Sequence, residues 1–411
     1  MIPAEVLQMD QDDGLAHKRA AFDLPDNIVY LNGNSLGPLP SSVPARMQSL
    51  INDEWGGDLI SSWNMHGWID MPQQVGEKLA PLVGAAAGQV ICCDSVSINL
   101  FKVLVAALQL RPDRSVVLSQ TDNFPTDLYM AQGLESLLGS TRMQLRTVAE
   151  QELATSLDND IAVLYLTQVN FRSGAMHDIA SLTRAAHEHG ALVIWDLSHS
   201  VGVVPLALDE WQVDFAVGCG YKFLNGGPGA PAFIYANASL HDQFQQPLQG
   251  WMGHENAFAF EPAYKPAKGM AQFLVGTPNI LSLAALDTAL DVFADVETTA
   301  LHNKARALGE LFVELVQKEP GLQELVLESP ARSEDRGGQL AFSHPQAWSI
   351  SRALHKEGVM VDYREPNILR FGFSPLILSF EEIWRATHIL RKIVEEKAYD
   401  KPEFREKLAV T

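Results

Sequence analysis

The chain has 411 residues, of which 47% are hydrophobic and 19% charged, a composition typical of a packed globular enzyme rather than a disordered or coiled-coil protein. A chain of this length predicts two or three domains around a large core. The formal net charge of −20 disfavours nucleic acids and anionic membranes as main partners, because both carry negative charge themselves.

The opening segment lacks the basic head and apolar run of a signal peptide, and no stretch approaches about 20 uninterrupted apolar residues. Cys92, Cys93 and Cys219 form no CxxC pair, which favours a reducing compartment and three inert, buried thiols. We therefore expect a cytoplasmic protein. We also expect no bound metal.

Residues from about 85 to 240 alternate short β-rich apolar runs with amphipathic segments. This rhythm predicts crossover units around a mostly parallel or mixed sheet. The predicted strands begin near residues 90, 116, 161, 191, 214 and 232, and the predicted helices cover about 100–110, 127–138 and 178–190.

A long helical pattern from about 280 to 318 is predicted to carry the chain out of this sheet. The residues from about 319 to 411 predict a smaller α+β domain, with strands near LVLES, GQLAFSH, VMVDYRE and ILRFGFS and helices near 349–356 and 380–397. We expect an N-terminal arm at 1–40, part of it packed with the small domain, a large domain at 41–290 and a small domain at 291–411.

Polar residues directly follow the predicted strands, at 94–99, 123–127, 167–170, 196–199 and 221–222. In an open α/β sheet, ligands bind beyond the carboxyl ends of the strands. Turns favour Asp, Asn and Ser in any case, so the placement alone explains part of this polarity.

Lys222 follows a strand that the sequence predicts to be buried and precedes a glycine-rich loop. Lysines are usually solvated, but an apolar site lowers the lysine pKa and leaves a neutral amine able to form a Schiff base with an aldehyde. Asp196, at the end of another strand, can keep a pyridine nitrogen protonated, although such an Asp is more often a cap or turn residue. His199 alone would be structural, whereas beside Asp196 and Lys222 it can fix their geometry.

Ser95, Ser97 and Asn99 lie where a strand leads into a helix, and a helix N-terminus with serines can bind an anion. Helix capping alone would explain one of the two serines. Phe124 offers an aromatic face for stacking on a ring, and Asp127 a carboxylate for a phenolic oxygen of that ring.

Arg370 has apolar neighbours and presents the planar two-donor group that an amino-acid carboxylate requires, its alternative role being a surface salt bridge. Trp63 and Trp68 can face an aryl substrate, although tryptophans are more often core or interface residues.

A series of motifs resembles those of the kynureninases, particularly the bacterial type. They are YLNGNSLGPLP at 30, SWNMHGW at 62, DSVSINLFK at 94, NFPTDLY at 123, IWDLSHSVG at 194, GCGYKFLNGGPG at 218, GWMGHE at 250, GTPNI at 276 and DYREPNILRFGFSPL at 362. The resemblance runs from about residue 12 to the carboxyl end. It implies a pyridoxal-phosphate enzyme of aminotransferase-like fold type I, an α/β fold with a large, mostly parallel central sheet domain flanked by helices and a smaller C-terminal α+β domain.

The resemblance also implies a role for individual residues. Lys222 would form the Schiff base, Asp196 would pair with the pyridine nitrogen with His199 beside it, and Phe124 would stack on the ring. The expected phosphate contacts are Val96 through its backbone, Ser97 where threonine is common in the family, Tyr221, Trp251, and Thr277 from the partner subunit. The other expected cofactor contacts are Pro125, Thr126, Asp127 and Thr167, and the expected substrate contacts are Arg370, Trp63 and Ser35. Tyr221 is also the candidate for proton transfer.

The implied reaction is hydrolytic Cβ–Cγ cleavage of L-kynurenine to anthranilate and L-alanine, in tryptophan catabolism or NAD biosynthesis. The motifs leave open the relative preference for kynurenine and 3-hydroxykynurenine, and their bacterial type favours the unmodified substrate. The implied assembly is a homodimer with shared active sites.

Other functions fit the sequence less well. A cysteine desulfurase needs a nucleophilic cysteine late in the chain, and none occurs after Cys219. An aminotransferase would share Lys222 but leave the motifs around Trp63 and Trp251 without a reason. A cofactor-binding regulator would need a nucleic-acid module or basic face. A dinucleotide-binding protein is disfavoured because Phe223 stands where the glycine motif needs its third glycine.

Overall fold

The computed structural model describes residues 2–407. Met1 and residues 408–411 lie outside the described residues, as do the corresponding ends of the predicted arm and small domain. In the part of the chain that the structure describes, no helix is both long and apolar enough to cross a membrane.

The first part of the chain forms a series of short elements. They are α1 (Ala4–Gln11), β1 (Val29–Tyr30), α2 (Val43–Ser49), a π-helix (Leu50–Asp58), α3 (Ser62–Met65) and α4 (Met71–Leu79).

A seven-stranded sheet forms the centre of the molecule. Its strands are β2 (Val90–Cys93), β3 (Val116–Gln120), β4 (Gln144–Val148), β5 (Ile161–Thr167), β6 (Leu192–Asp196), β7 (Phe215–Cys219) and β8 (Ala232–Ala236). Their order is β2-β8-β7-β6-β5-β3-β4. Only β8 runs against its neighbours, so the predicted mostly parallel sheet is confirmed.

Burial explains which strands the sequence revealed. Every residue of β2, β3 and β5 to β8 is buried, because helices cover both faces, and such strands read as continuous apolar runs. The sequence did not predict β4. This strand lies at the sheet edge, has no fully buried residue and carries the mixed sequence QLRTV, which lacks the apolar signal.

The connecting helices α5 (Val96–Gln109), α6 (Pro125–Leu138) and α7 (Ile179–Glu188) confirm the three predicted helices with small shifts of their ends. Each begins at a recognisable start signal. The Ser95 side chain accepts from Ile98 N at 3.5 Å, Pro125 occupies the first turn of α6, and the Asp178 side chain accepts from Ser181 N.

The single helical pattern predicted for 280–318 is wrong, because the segment forms two helices, α8 (Ile280–Ala289) and α9 (Thr298–Lys318). Between them Asp295 has a φ of 59°, in the left-handed region, which an α-helix cannot accommodate. The apolar residues on both sides of this break are buried, so hydrophobicity alone did not reveal it.

The C-terminal region contains a four-stranded antiparallel sheet and two further helices. Its elements are β9 (Val326–Leu327), β10 (Gln339–Ser343), α10 (Ala347–Lys356), β11 (Val359–Met360), β12 (Asp362–Arg364), β13 (Ile368–Gly372) and α11 (Phe380–Glu395). The sheet order is β12-β13-β10-β9. The predicted helices and three of the four predicted strands of this region are confirmed. The segment predicted as one strand at VMVDYRE forms two, β11 and β12, because β11 pairs with β1 whereas β12 pairs with β13.

The N-terminal arm contacts both regions. Strand β1 pairs in parallel with β11, and Arg19 binds Glu382 of α11. Further along, Gly37 N donates to Tyr221 O at 2.8 Å, so the arm lies directly against the loop that carries Lys222. A Cβ at Gly37 would lie 2.3 Å from Lys222 O, which explains why glycine occupies this point of contact.

Candidate active site

The polar residues selected from the sequence meet at one edge of the central sheet. Neighbouring parallel strands β3, β5, β6 and β7 end near Asn123, Thr167, Asp196 and Lys222, and β2 points the same way because two antiparallel pairings through β8 relate it to β7. The carboxyl end of an open α/β sheet is the usual ligand site of such folds.

Lys222 lies beside His199 at this edge, with 3.0 Å between its Nζ and His199 Nε2. Burial of the imidazole, followed by the charges of Lys222 and Arg370, lowers the His199 pKa well below its usual value, so the ring is neutral. The Lys222 Nζ also lies 6.0 Å from the centre of the Phe124 ring and 5.9 Å from that of Tyr221. The amine is therefore surrounded by a neutral imidazole and two aromatic rings.

Asp196 closes β6 and is 2% exposed. Its Oδ1 accepts from Ser198 N at 2.8 Å and from Ser198 Oγ at 2.5 Å. Burial raises the Asp196 pKa, while the Ser198 hydrogen bonds and the Lys222 charge oppose that rise. Two donors on one oxygen favour the carboxylate form.

Asp127 is a second fully buried carboxyl group, in the first turn of α6. Burial raises its pKa well above the usual value, and the nearby Asp196 raises it further. Thr167 Oγ1 lies 3.0 Å from Asp127 Oδ2, whereas no donor among residues 2–407 bonds to Asp127 Oδ1. The Asp127 carboxyl is also hydrogen-bonded to Asp196. Two close buried carboxyls favour one shared proton over two negative charges.

The first turn of α6 and the start of α5 provide an aromatic face and an anion site. The Phe124 ring packs edge to face against Phe171, with 5.2 Å between ring centres, and Pro125 and Thr126 continue the turn towards Asp127. Val96 and Ser97 are the first residues of the 14-residue α5, whose free backbone N–H groups can bind phosphate. The Tyr221 pKa is raised by burial, so its phenol stays protonated.

Arg370 lies in β13 and is 1% exposed. Its guanidinium donates to Phe171 O, to Asp362 and, at 2.9 Å, to Ser35 Oγ, while its Nε has no hydrogen-bond partner in the described chain. Burial lowers the Arg370 pKa to about 10, which still leaves the side chain charged at neutral pH. Arg370 is thus a buried cation with a free donor, rather than the surface salt bridge that was its alternative role.

Three of the residues predicted to form the site do not contact Lys222 within the described subunit. The Trp63 ring packs against Trp68 with 5.8 Å between centres, Trp251 packs against Phe258 and Phe260, and Thr277 is exposed. For residues 2–407, no hydrogen bond, ion pair or ring contact joins Trp63, Trp251 or Thr277 to Lys222.

Two residues of the site were not predicted from the sequence. Asp362 stands directly opposite Arg370 across β12 and β13 and binds its guanidinium, a pairing that only strand register establishes. Asn123 was noted only as part of a polar run, yet its side chain bonds to Phe124 and Thr167 together. Its position just before a helix that begins with Pro is the one local signal for it.

These residues fit pyridoxal phosphate. The unpartnered Asp127 Oδ1 and the paired Asp196 offer carboxyl oxygens for a pyridine ring, Phe124 offers a stacking face, and the start of α5 offers donors for a phosphate. No group of three or more His, Cys, Asp or Glu side chains in the described chain is arranged to hold a metal ion.

Solved structures share this fold. A cysteine desulfurase from Thermococcus onnurineus NA1 matches with a TM-score of 0.78 and 18% identity, covering 92% of this chain and 98% of the other. A mutant of C-DES, with glycine covalently linked to its PLP cofactor, matches with a TM-score of 0.80 and 17% identity, covering 91% and 98%. The predicted aminotransferase-like fold type I is confirmed.

Sequence comparison identifies the family. The model of the kynureninase C-terminal domain matches residues 301–390. A kynureninase of Pseudomonas fluorescens is 45% identical over 411 residues, which cover 99% of each chain. With such identity over nearly the full length of both proteins, the chain belongs to the kynureninase family.

Proposed function

We propose that this protein is a pyridoxal-phosphate-dependent kynureninase that hydrolyses the Cβ–Cγ bond of L-kynurenine to give anthranilate and L-alanine. The observation that carries the proposal is the cluster at the sheet edge, in which the Lys222 amine lies 3.0 Å from a neutral His199 and beside the buried pair of Asp127 and Asp196. Membership of the kynureninase family selects the substrate.

Bound pyridoxal phosphate would supply a ring that accepts the electrons of the bonds broken at the substrate. Lys222 would hold the cofactor aldehyde and, once released from it, move protons at the substrate Cα. His199 can accept the Lys222 N–H and so orient the amine, because its lowered pKa keeps the imidazole neutral.

The two carboxyls have different tasks. Asp196, with two donors from Ser198, is the carboxylate that would keep a pyridine nitrogen protonated. Asp127, held by Thr167, would face the same ring as the more weakly acidic partner. Phe124 would cover the ring face, which limits its orientation and excludes water.

The phosphate would bind at the start of α5 through Val96 and Ser97, with Tyr221 and Trp251, and with Thr277 from the partner subunit. Pro125 and Thr126 shape the wall beside it. Arg370 would bind the substrate carboxylate through its free Nε, with Ser35 beside it and Trp63 towards the aryl group. A protonated Tyr221 can donate a proton at the carbonyl or β-carbon of the substrate.

The family resemblance also supports a homodimer with shared sites, a cytoplasmic location, and a role in tryptophan catabolism or NAD biosynthesis. Unmodified kynurenine is the proposed preferred substrate over 3-hydroxykynurenine. The proposed organisation is an arm at 1–40, a cofactor-binding domain at 41–290 and a small domain at 291–411. It is supported by the separation of the seven-stranded sheet, whose strands lie within 90–236, from the four-stranded sheet, whose strands lie within 326–372.

A direct test adds L-kynurenine to the purified, cofactor-loaded protein and follows anthranilate fluorescence. Release of anthranilate without a keto acid supports the proposal. Keto-acid-dependent amino transfer in place of anthranilate release would assign an aminotransferase instead.

The Lys222→Ala variant should lose all steady-state turnover and the absorbance of the Schiff base while keeping its fold, because only an amine at this point can form the imine. The measurements are anthranilate release, the visible spectrum and circular dichroism of the backbone. Lys318→Ala is the matched control, since the Lys318 side chain is 68% exposed and pairs with Glu314 on α9. Steady-state activity in Lys222→Ala would refute the assignment.

A further inference from the structure

Asn123 lies between β3 and α6 and is 5% exposed. Its Oδ1 accepts from Phe124 N at 2.8 Å and from Thr167 N at 3.2 Å. Because both donors are backbone N–H groups, the amide oxygen must face them, and the orientation of the Asn123 amide follows from the backbone alone.

The other end of the amide is held as well. Asn123 Nδ2 donates to Ser119 Oγ at 3.1 Å, and the Ser119 hydroxyl donates to Tyr165 O at 2.6 Å. One side chain thus joins the end of β3, the end of β5 and the first turn of α6. These are the elements that carry Thr167, Phe124 and Asp127.

Proton counting extends this link to Asp127. The Thr167 hydroxyl has one proton but two acceptors within reach, Asn123 Oδ1 at 2.5 Å and Asp127 Oδ2 at 3.0 Å. The Thr167 hydroxyl therefore donates to Asn123 Oδ1, the nearer acceptor, because two oxygens 2.5 Å apart would repel each other without a proton between them. Thr167 then has only an acceptor to offer to Asp127.

A fully buried carboxylate that accepts no hydrogen bond from Thr167, and none at its Oδ1 from any donor among residues 2–407, would be costly. The neutral acid resolves this cost, because its O–H can donate to Thr167 Oγ1 or to Asp196, with which the Asp127 carboxyl is hydrogen-bonded. Asp196 is in the opposite situation, with two donors from Ser198 on one oxygen. The single negative charge of the carboxyl pair therefore belongs on Asp196.

We propose that Asn123 is a positioning residue of the cofactor site. Its amide oxygen fixes the Phe124 backbone and accepts the hydrogen bond of the Thr167 hydroxyl, which leaves Asp127 as the protonated member of the carboxyl pair. The inference rests on the proposed pyridoxal-phosphate function and deepens it. Asn123 acts through Phe124, Thr167 and Asp127.

The test strips the parent protein and its variants of cofactor and titrates them with pyridoxal phosphate. Binding is followed by tryptophan fluorescence and by the visible circular dichroism of the bound cofactor, which reports how the ring is held. Asn123→Ala should bind at least about tenfold more weakly and show an altered or reduced dichroic band, because Phe124 and Asp127 lose their anchor.

Ser119→Ala is the matched control. It removes a buried hydroxyl of the same network but leaves all three contacts of Asn123 Oδ1, so its cofactor affinity and dichroism should stay within about twofold of the parent. The proposal is overturned if Asn123→Ala also stays within that range. Equal changes in the two variants would overturn it too, because they would show a merely structural role for the network.

Asn123→Asp keeps the test valid if the alanine variant does not fold. In its protonated form the new carboxyl has the shape of the amide, with a carbonyl towards Phe124 and an O–H towards Ser119. Its ionised form adds a charge beside buried Asp127. The ratio of variant to parent affinity should therefore be near one at low pH and fall as pH rises. The variant and the parent both contain Asp127 and Asp196. The titration of these two groups therefore affects both affinities and largely cancels in the ratio.

A ratio that does not change with pH would contradict the role of the amide. Failure of the proposed function gives a different result from failure of this inference. If the parent itself forms no coloured complex with pyridoxal phosphate, the proposed function fails. If the parent binds and the Asn123 variants bind equally well, only the inference fails.

Discussion

At the scale of single residues, similar side chains in the site differ in the hydrogen-bond donors around them. Asp127 and Asp196 are both buried carboxyls at one sheet edge, but only Asp196 receives two donors from Ser198. Burial of the imidazole lowers the His199 pKa, so the neutral ring can accept a hydrogen bond from Lys222. Small differences in local donors decide which group carries charge, because buried charge without donors is costly.

Asp196→Ala should reduce activity far more than it reduces cofactor binding, because the proposed role of Asp196 is to keep the pyridine nitrogen protonated. We expect the rate of anthranilate release to fall at least about a hundredfold, with a change in cofactor affinity of less than about tenfold. Ser198→Ala, which keeps the Ser198 N–H donor to Asp196, should show a smaller loss of rate. Near-normal turnover by cofactor-loaded Asp196→Ala would rule out pairing with the pyridine nitrogen.

At the scale of elements, the N-terminal arm is a structural part of the site. It carries Ser35, which bonds to Asp362 and Arg370, and Gly37, which contacts the Lys222 loop through the backbone. A segment near the start of the chain therefore braces residues that lie far along the sequence. Its displacement should disturb both the lysine loop and the arginine.

Gly37→Ala should destabilise the protein and weaken cofactor retention, because the new Cβ would lie 2.3 Å from Lys222 O and 2.7 Å from Asn225 Cα, both backbone atoms. The expected loss of unfolding free energy is about 1–3 kcal/mol, measured by denaturant titration. Gly14→Ala is the control on the same arm, since nothing lies within 4 Å of its Cβ. Equal stability of the two variants would show that the arm shifts freely at Gly37.

At the scale of the whole molecule, large apolar side chains are exposed on the single subunit. Trp55 is 56% exposed, Leu59 63%, Ile60 78% and Phe260 73%. Trp55, Leu59 and Ile60 lie within six residues of one another, and grouped exposed apolar side chains are common at protein interfaces, which supports the proposed homodimer. Thr277 is also exposed and so is available to a partner subunit.

Subunit mixing tests the shared site. Lys222→Ala chains and Thr277→Trp chains should each be inactive alone. After exchange, each heterodimer has one site with both lesions and one intact site, so activity should recover to about a quarter of that of the parent. Light scattering checks for the dimer and tagged chains check for exchange. No recovery despite exchange, or a monomer at working concentration, would contradict the shared site.

The sequence by itself determined six of the seven strands of the central sheet and the position of the edge that carries the polar residues. Strands buried on both faces must be continuous apolar runs, so β2, β3 and β5 to β8 were visible locally, and the polar residues after them predicted Asp196, His199 and Lys222 as a group. The family resemblance added their roles. This much is local, because burial and chain direction leave their mark within a few residues.

Only the tertiary structure decided which distant groups meet. Strand register places Asp362 opposite Arg370, a backbone contact brings Gly37 to the Lys222 loop, and hydrogen-bond directions make Asn123 a link between Phe124 and Thr167. The break between α8 and α9 and the polar edge strand β4 were likewise hidden. The local pattern of apolar residues indicates which segments are buried. A hydrogen bond between groups far apart in the chain depends on their angle and distance, which only the fold sets.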